Sequence, residues 1–253
     1  MSELPVLWHI EVSHYNEKVR WALDHKGIAH RRRAPMPGAA HMAHALRLTR
    51  RLTFPVLELD GQAIGDSTAI IAELERLRPD PPLLPADPAE RRRALELEEF
   101  FDTELGPHIR RVGFQSMFEP QNRDLMLDEL VKDSPLVRRA FTATYPVVRR
   151  TFKARYGVYP DRVRAGLEKT HAALERVESE RAGRDHLVGD SFTVADLTAA
   201  ALFAPLLQPD ELEYKLTLPP ETLPLQAELR EHPAGRWALD TYRRHRGVSA
   251  EVA

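Results

Sequence analysis

The chain has 253 residues, which is long for one compact core and fits two domains of ordinary size. A hydrophobic share of 43% and a charged share of 29% are typical of a globular protein. The net charge of -2 argues against the strongly basic surface that nucleic-acid binding usually requires. The sequence contains no cysteine, which excludes disulfide bonds, cysteine-ligated metals and a catalytic thiol.

Membrane insertion and secretion are not expected. The longest apolar stretches, such as residues 199–207, are far shorter than the roughly 20 residues that a membrane-spanning helix needs. The N-terminal residues show no basic leader followed by an apolar segment. We therefore expect a cytoplasmic protein.

The first 33 residues predict a strand, a helix and a second strand. Residues 6–10 are a short apolar run, followed by Ser13, a residue type that caps helices. Apolar residues at helical spacing predict a helix over about residues 14–26, which Gly27 ends. A strand over residues 28–33 would complete a β-α-β unit.

The next segment predicts a hairpin and a helix. Residues 34–52 are expected to form a loop with one irregular helix. The dipeptide Asp60-Gly61 lies between two apolar runs and is a strong hairpin signal. A helix is predicted over residues 68–77, and the proline-rich residues 79–89 form a linker.

Helical periodicity dominates the rest of the chain. Residues 89–118 predict one long helix, kinked at Gly106-Pro107, and residues 161–181 predict another. Thr193 and Asp196 have the spacing of a capping box at the start of a further helix. We expect no further strand.

This order of elements resembles the cytosolic glutathione S-transferase family. Four motifs carry the resemblance: residues 13–20 (Ser-His-Tyr-Asn-Glu-Lys-Val-Arg), Phe54-Pro55-Val56-Leu57, Gly65-Asp66-Ser67 and Phe192-Thr193-Val194-Ala195-Asp196. The resemblance covers nearly the whole chain. It implies an α/β thioredoxin-like domain over residues 1–78, a linker over 79–89 and an all-α domain over 90–253.

Ser13 occupies the position that acts on the glutathione sulfur in this family. A hydroxyl at a helix N-terminus can donate a hydrogen bond to a thiolate, which the helix dipole also stabilises. The alternative is that Ser13 only caps the helix, and both roles can coexist. His14 and Tyr15 are the runners-up, although Tyr15 is expected to face the core. Asn16 stands where redox-active relatives carry the second cysteine.

Other parts of the resemblance concern the glutathione backbone. Pro55 matches the family's cis-proline, which lets the backbone of Phe54 pair with the cysteinyl unit; an ordinary strand-starting proline is the alternative. Asp66 and Ser67 match the acidic-serine pair for the γ-glutamyl end, with a simple helix cap as the alternative.

The resemblance implies a cation from residues 38–53 for the glycyl carboxylate; Arg50 is our candidate, and the sequence does not distinguish it from the other basic residues there. The other plausible residues of this segment are His41, Arg47 and Arg51. His41 and His44 have the spacing of metal ligands, but no third ligand is placed nearby, so no metal is expected.

The resemblance implies an enzyme that joins glutathione, as co-substrate, to a small apolar electrophile. Phe100, Phe101, Phe114 and Phe118 lie on the helix that borders the electrophile pocket in relatives, although most of them are expected to be core. A homodimer is expected, without nucleic-acid or membrane partners. Two alternatives stay open: a catalytically silent binding or regulatory protein on the same fold, and a glutathione-dependent isomerase or peroxidase.

Overall fold

The computed structural model describes residues 4–35, 39–130 and 135–252. Its N-terminal part has the predicted order of a β-α-β unit, a linking segment and a β-β-α unit. The elements are β1 (Val6–Trp8), α1 (His14–His25), β2 (Arg31–Arg33), α2 (Ala39–Thr49), β3 (Val56–Leu59), β4 (Gln62–Gly65) and α3 (Ser67–Leu77).

The strands form one mixed sheet in the order β2-β1-β3-β4. β1 runs parallel to β2 and antiparallel to β3, and β3 runs antiparallel to β4. The register pairs Trp8 with Val56, and Val56 in turn with Gly65. The end of β1, the start of β3 and the end of β4 therefore lie at the same edge of the sheet.

Two predictions for this part need correction. The second strand is only three residues long, because residues 28–30 cross from α1 before pairing with β1 begins. The segment predicted as a loop with an irregular helix contains a regular helix of 11 residues, α2. Thr49, near the end of α2, packs beside Gly65, where an added Cβ would lie 3.1 Å from its side chain. Tertiary packing thus stabilises a helix that the local sequence indicates only weakly.

The second part of the chain is helical, as predicted. Its elements are α4 (Pro88–Phe100), a π-helical turn (Phe101–Leu105), α5 (Gly106–Met117), a 3-10 turn (Pro120–Asn122), α6 (Arg123–Leu130), α7 (Pro135–Tyr156), α8 (Pro160–Arg181), α9 (Val194–Leu207), a 3-10 turn (Pro220–Thr222), α10 (Leu223–Glu231) and α11 (Pro233–His245).

The predicted long helix over residues 89–118 is interrupted one turn before the expected kink. Pro107 has no amide proton, and the Gly106 amide bonds to the carbonyl of Phe101, five residues earlier. A Cβ at Gly106 would lie 2.1 Å from the hydroxyl of Tyr15. The π-helical turn and the glycine together allow α5 to approach the start of α1.

The predicted capping box at the start of α9 is present. The Asp196 carboxylate accepts hydrogen bonds from the amide and the hydroxyl of Thr193, each at 2.9 Å. It also accepts one from the amide of Leu187 at 2.8 Å. Asp196 is fully buried. Its contacts are structural, and they lie inside the helical part of the chain.

One hydrophobic cluster spans both parts of the chain. It contains Leu7 and Val19 from the N-terminal part and Leu197 and Phe203 from α9. The linker therefore divides the sequence but not the core. Among the described residues, no helix combines the length and the apolar character that a bilayer crossing requires.

The C-terminal tail returns to the N-terminal part, which the sequence did not predict. Arg246 donates to Glu17 at 2.7 Å and to Asp24 at 2.9 Å. The amide of Val252 donates to the carbonyl of His30 at 2.8 Å, and Glu251 forms an isolated β-bridge with the same residue. The tail thus packs along α1 and the edge of the sheet.

Candidate functional site

The sheet register brings three predicted site segments to one edge. Ser13 follows β1, the pair Phe54-Pro55 precedes β3, and the pair Asp66-Ser67 follows β4. Because the ends of these strands are paired neighbours, the segments are close in space although they lie far apart in sequence. We call this edge the binding edge.

Ser13 is the N-cap residue of α1, but its side chain makes no capping hydrogen bond. Its carbonyl accepts from the amide of Glu17 at 2.8 Å, which begins the helix. The amides of the first turn have no partner within the helix, as in any α-helix. The half-buried hydroxyl and these amides therefore form a donor-rich site for an anion.

His14 is buried against α5 and is electrically neutral. Its Nε2 lies 3.0 Å from the carbonyl oxygen of Gly106. Burial, and after it the guanidinium of Arg110, lower the pKa of His14 to about 3, against the opposing effect of that hydrogen bond. A neutral ring that faces a carbonyl carries its proton on Nε2. His14 therefore donates to Gly106 and is no cationic partner for a thiolate.

Tyr15 and Asn16 have structural contacts. The Tyr15 hydroxyl donates to the carbonyl of Asp102 at 2.6 Å. Burial, and then the Asp102 carboxylate, raise the pKa of Tyr15, which keeps it a phenol. The Oδ1 of Asn16 accepts from the Ile10 amide at 3.2 Å and holds the turn before α1.

The peptide bond between Phe54 and Pro55 is cis. Phe54 is 6% exposed and packs with Ala45 and Val56 in a small cluster beneath α2. Pro55 immediately precedes β3, at the binding edge.

Asp66 and Ser67 begin α3 at the binding edge. Asp66 is the N-cap residue, and its Oδ1 accepts from the amide of Thr68 at 3.1 Å. Its Oδ2 is 3.3 Å from a guanidinium nitrogen of Arg51. Ser67 is buried. The helix-cap alternative thus describes the present contacts of Asp66, whose side chain is still 46% exposed.

The basic residues near this edge are at the end of α2. Arg47 lies in the last turn of the helix, and Arg50 follows it with φ 59° and an exposed side chain. Arg51, not Arg50, forms the ion pair with Asp66. The side chain of His41 lies outside the described residues.

No group of three or more His, Cys, Asp or Glu side chains that could hold a metal is present in the described ranges. His44 packs its ring 4.1 Å from that of Trp8, as part of an apolar cluster. This contact is structural.

A small cavity borders Ser13, between the two parts of the chain. Its volume is about 10 Å³, enough for about one water molecule. Its walls come from the start of α1, the end of α9 and the segment after it, including Gln208 and Tyr214. Arg20 lies over the Tyr214 ring, 4.8 Å from its centroid.

The four predicted aromatic residues lie elsewhere. Phe101 and Phe118 are buried, while Phe100 and Phe114 pack half-buried against separate clusters. None of these four lines the cavity beside Ser13. The expectation that most of them are core is consistent with these positions.

A buried polar cluster beside the binding edge was missed by the sequence analysis. The Lys18 Nζ, fully buried, lies 2.6 Å from the Asp102 carboxylate and 2.8 Å from the Glu98 carboxylate. It also donates to the Thr68 hydroxyl at 3.3 Å. We call these residues the Lys18 cluster. It ties α1 and α3 to α4 and the π-helical turn, so it positions the binding edge against the helical part.

The fold is thus a thioredoxin-like domain with a helical domain packed on it. The family model described as glutathione S-transferase, N-terminal domain matches residues 7–82, and the model described as glutathione S-transferase, C-terminal domain matches residues 113–225. The chain therefore belongs to the glutathione S-transferase family.

Solved structures with the same fold are similar over nearly their whole length. A possible glutathione S-transferase from Rhodopseudomonas palustris is 19% identical, with a TM-score of 0.63 and coverage of 99% of this chain and 100% of that one. A glutathione S-transferase from Methylobacterium radiotolerans, solved in complex with glutathione sulfonate, is 23% identical, with a TM-score of 0.56 and coverage of 94% and 95%.

A shorter similarity involves a curated protein. The probable maleylacetoacetate isomerase 1 of Drosophila melanogaster is 43% identical over 53 residues, which is 21% of this chain. The match spans 22% of that relative's length.

Proposed function

We propose that the protein is a glutathione transferase. Glutathione, bound as the thiolate, attacks an electrophilic carbon of a small apolar substrate and forms a thioether. The observation that supports this proposal most directly concerns Ser13 at the N-terminus of α1. Its hydroxyl makes no capping hydrogen bond. That hydroxyl and the first-turn amides can stabilise negative charge on sulfur, and the protein supplies ionisation and positioning rather than a covalent intermediate.

The rest of glutathione extends along the binding edge in this proposal. The backbone of Phe54, before the cis bond to Pro55, pairs with the cysteinyl unit like an added strand. The Ser67 hydroxyl and the α3 N-terminus hold the γ-glutamyl carboxylate, and Asp66 lies near the ammonium. Arg50 binds the glycyl carboxylate with its exposed guanidinium.

Calorimetric titration with glutathione tests the binding half of the proposal. The wild type should bind glutathione, and Ser67→Ala should weaken the binding by about 1 kcal/mol or more, because a hydrogen bond to a charged group is lost. Ser179→Ala, on the exposed face of α8, is the matched control and should change nothing. No heat at millimolar glutathione would contradict the proposal, and unchanged affinity in Ser67→Ala would remove Ser67 from the site.

A glutathione-dependent isomerase is the second candidate, favoured by the short similarity to the maleylacetoacetate isomerase. The same thiolate would serve it, but the outcome differs: an isomerase returns free glutathione, whereas conjugation consumes one thiol for each product. Counting free thiols during turnover separates the two reactions. A protein that binds glutathione and turns over neither type of substrate would be a binding or regulatory member of the fold.

We also propose a homodimer. The exposed face of α4 carries the apolar side chain of Leu95, 42% exposed, between Arg91, Arg92 and Glu96. An apolar contact surrounded by opposite charges suits a self-complementary interface. Sedimentation velocity should show a species of twice 28.8 kDa at micromolar concentration, and a monomer alone would contradict the proposal.

A further inference from the structure

An arginine of the helical domain, Arg110, lies one turn along α5 from the residues that contact the start of α1. Asp102 and Gly106 both contact the first turn of α1, through the Tyr15 hydroxyl and the His14 ring respectively. Arg110 is four residues beyond Gly106 and therefore lies on the same face, one turn further along α5. Its charge contributes to the lowered pKa of His14, which is consistent with this placement.

Among the described residues, the guanidinium of Arg110 has no acidic partner. The Cζ atom of Arg110 lies 4.8 Å from the centroid of the Tyr156 ring, which is within the range of a cation–π interaction. The Arg110 Nε is buried and has no hydrogen-bond partner in the part of the chain that the structure describes. Arg110 forms no ion pair with any residue in the described ranges, and a buried donor without a partner is costly unless a ligand satisfies it.

The surroundings of Arg110 add positive charge. Arg155 also lies over the Tyr156 ring, at 5.8 Å, and Arg111 donates to the Tyr156 carbonyl at 3.2 Å. Burial, and then the guanidinium groups of Arg162 and Arg110, lower the pKa of Arg111, which shows how closely these cations are grouped. None of the four arginines is ion-paired within the part of the chain that the structure describes. Such a group attracts an anion.

An apolar surface adjoins this charge. The Tyr156 ring packs 5.3 Å from Phe114 and 4.5 Å from Phe152, measured between ring centroids. A flat apolar body could therefore stack beside the guanidinium. A planar arginine fork matches a carboxylate in two parallel hydrogen bonds.

We propose that Arg110 binds a carboxylate carried by the electrophile, so that the preferred substrate has a flat apolar body and one acidic group. The proposal rests on the proposed function, because it assigns Arg110 to the second substrate rather than to glutathione. Arg110 is the specificity-determining residue in this account, and Tyr156 holds its guanidinium in place.

The test uses 3-benzoylpropionate and its methyl ester, two aryl ketones that differ in charge and lack the activated double bond that a thiol would attack. Calorimetry on the full chain should show the acid bound at least about tenfold more tightly than the ester, the usual worth of a hydrogen-bonded charge. Arg110→Gln should abolish this preference, and Arg110→Lys should keep part of it. Arg150→Gln, which removes an exposed charge from α7, is the control and should leave the preference unchanged.

Equal binding of acid and ester by the wild type, or a preference that survives in Arg110→Gln, would overturn the proposal. So would a parallel loss of glutathione affinity in Arg110→Gln, since that would assign the arginine to glutathione. Failure of the proposed function has a different signature: no glutathione binding and no thioether, with the preference for the acid probe intact.

Discussion

Replacing Lys18 with methionine should lower the free energy of unfolding by about 3 to 5 kcal/mol, the usual cost of removing one partner from a buried ion pair. Lys18 has no exposed side-chain surface, and Glu98 and Asp102 are 3% and 13% exposed. The substitution keeps an unbranched side chain one atom shorter than lysine but leaves two desolvated carboxylates without their cation. Urea denaturation measures the effect as a lower midpoint.

The control for this experiment is an exposed pair. Lys169 on α8 pairs with Glu104, but their side chains are 50% and 39% exposed. Lys169→Met should cost less than about 1 kcal/mol because water screens the pair. In the Lys18→Met background, adding Asp102→Asn should recover part of the loss. Equal effects of Lys18→Met and Lys169→Met would show that the Lys18 cluster does not tie the two domains together.

Replacing Ser13 with alanine should reduce the rate of thioether formation by about tenfold or more, with glutathione affinity nearly unchanged. The lost interaction is a hydrogen bond to charge on the sulfur, which matters most for the reacting thiolate. Most groups proposed to bind glutathione lie along its backbone and at its ends. The measurements are kcat at saturating glutathione and calorimetric affinity, made on the same preparations.

Ser13→Thr is the matched variant, because it keeps a hydroxyl at the same position. It should recover much of the activity that Ser13→Ala loses. A fall in stability without a fall in kcat would assign Ser13 to helix capping alone. That outcome is not expected from the present contacts, in which the Ser13 side chain caps nothing.

Local signals predicted most of the N-terminal architecture. The hairpin at Asp60-Gly61 could be predicted because these residue types tolerate the positive φ angles that a tight turn requires. In the structure their φ angles are 47° and 78°. The Thr193–Asp196 contact is three residues apart and needs no knowledge of the fold. Ser13, Pro55 and Asp66 became candidates through the resemblance to the family, whose motifs lie at the boundaries of elements.

The sequence could not predict contacts between distant segments. Lys18 and Asp102 are 84 residues apart, and Arg246 and Glu17 are 229 apart. Each of these charges is typical of a solvated helix face until the packing is known. Arg110 was missed for the same reason: its position near His14 and Tyr15 depends on the packing of α5 against the start of α1. Between Arg50 and Arg51 the sequence offers no distinction.

In the proposed function, the start of α1 holds glutathione as a thiolate through Ser13. The direct measurement is the ultraviolet thiolate absorbance of bound glutathione as a function of pH, in the wild type and in Ser13→Ala. The wild type should titrate well below the value of about 8.5 for a free thiol, and Ser13→Ala should titrate about one unit or more above the wild type, since one unit corresponds to a tenfold change. Superimposable titration curves would contradict this role of Ser13. They would show that the N-terminus of α1 stabilises the thiolate without the Ser13 hydroxyl.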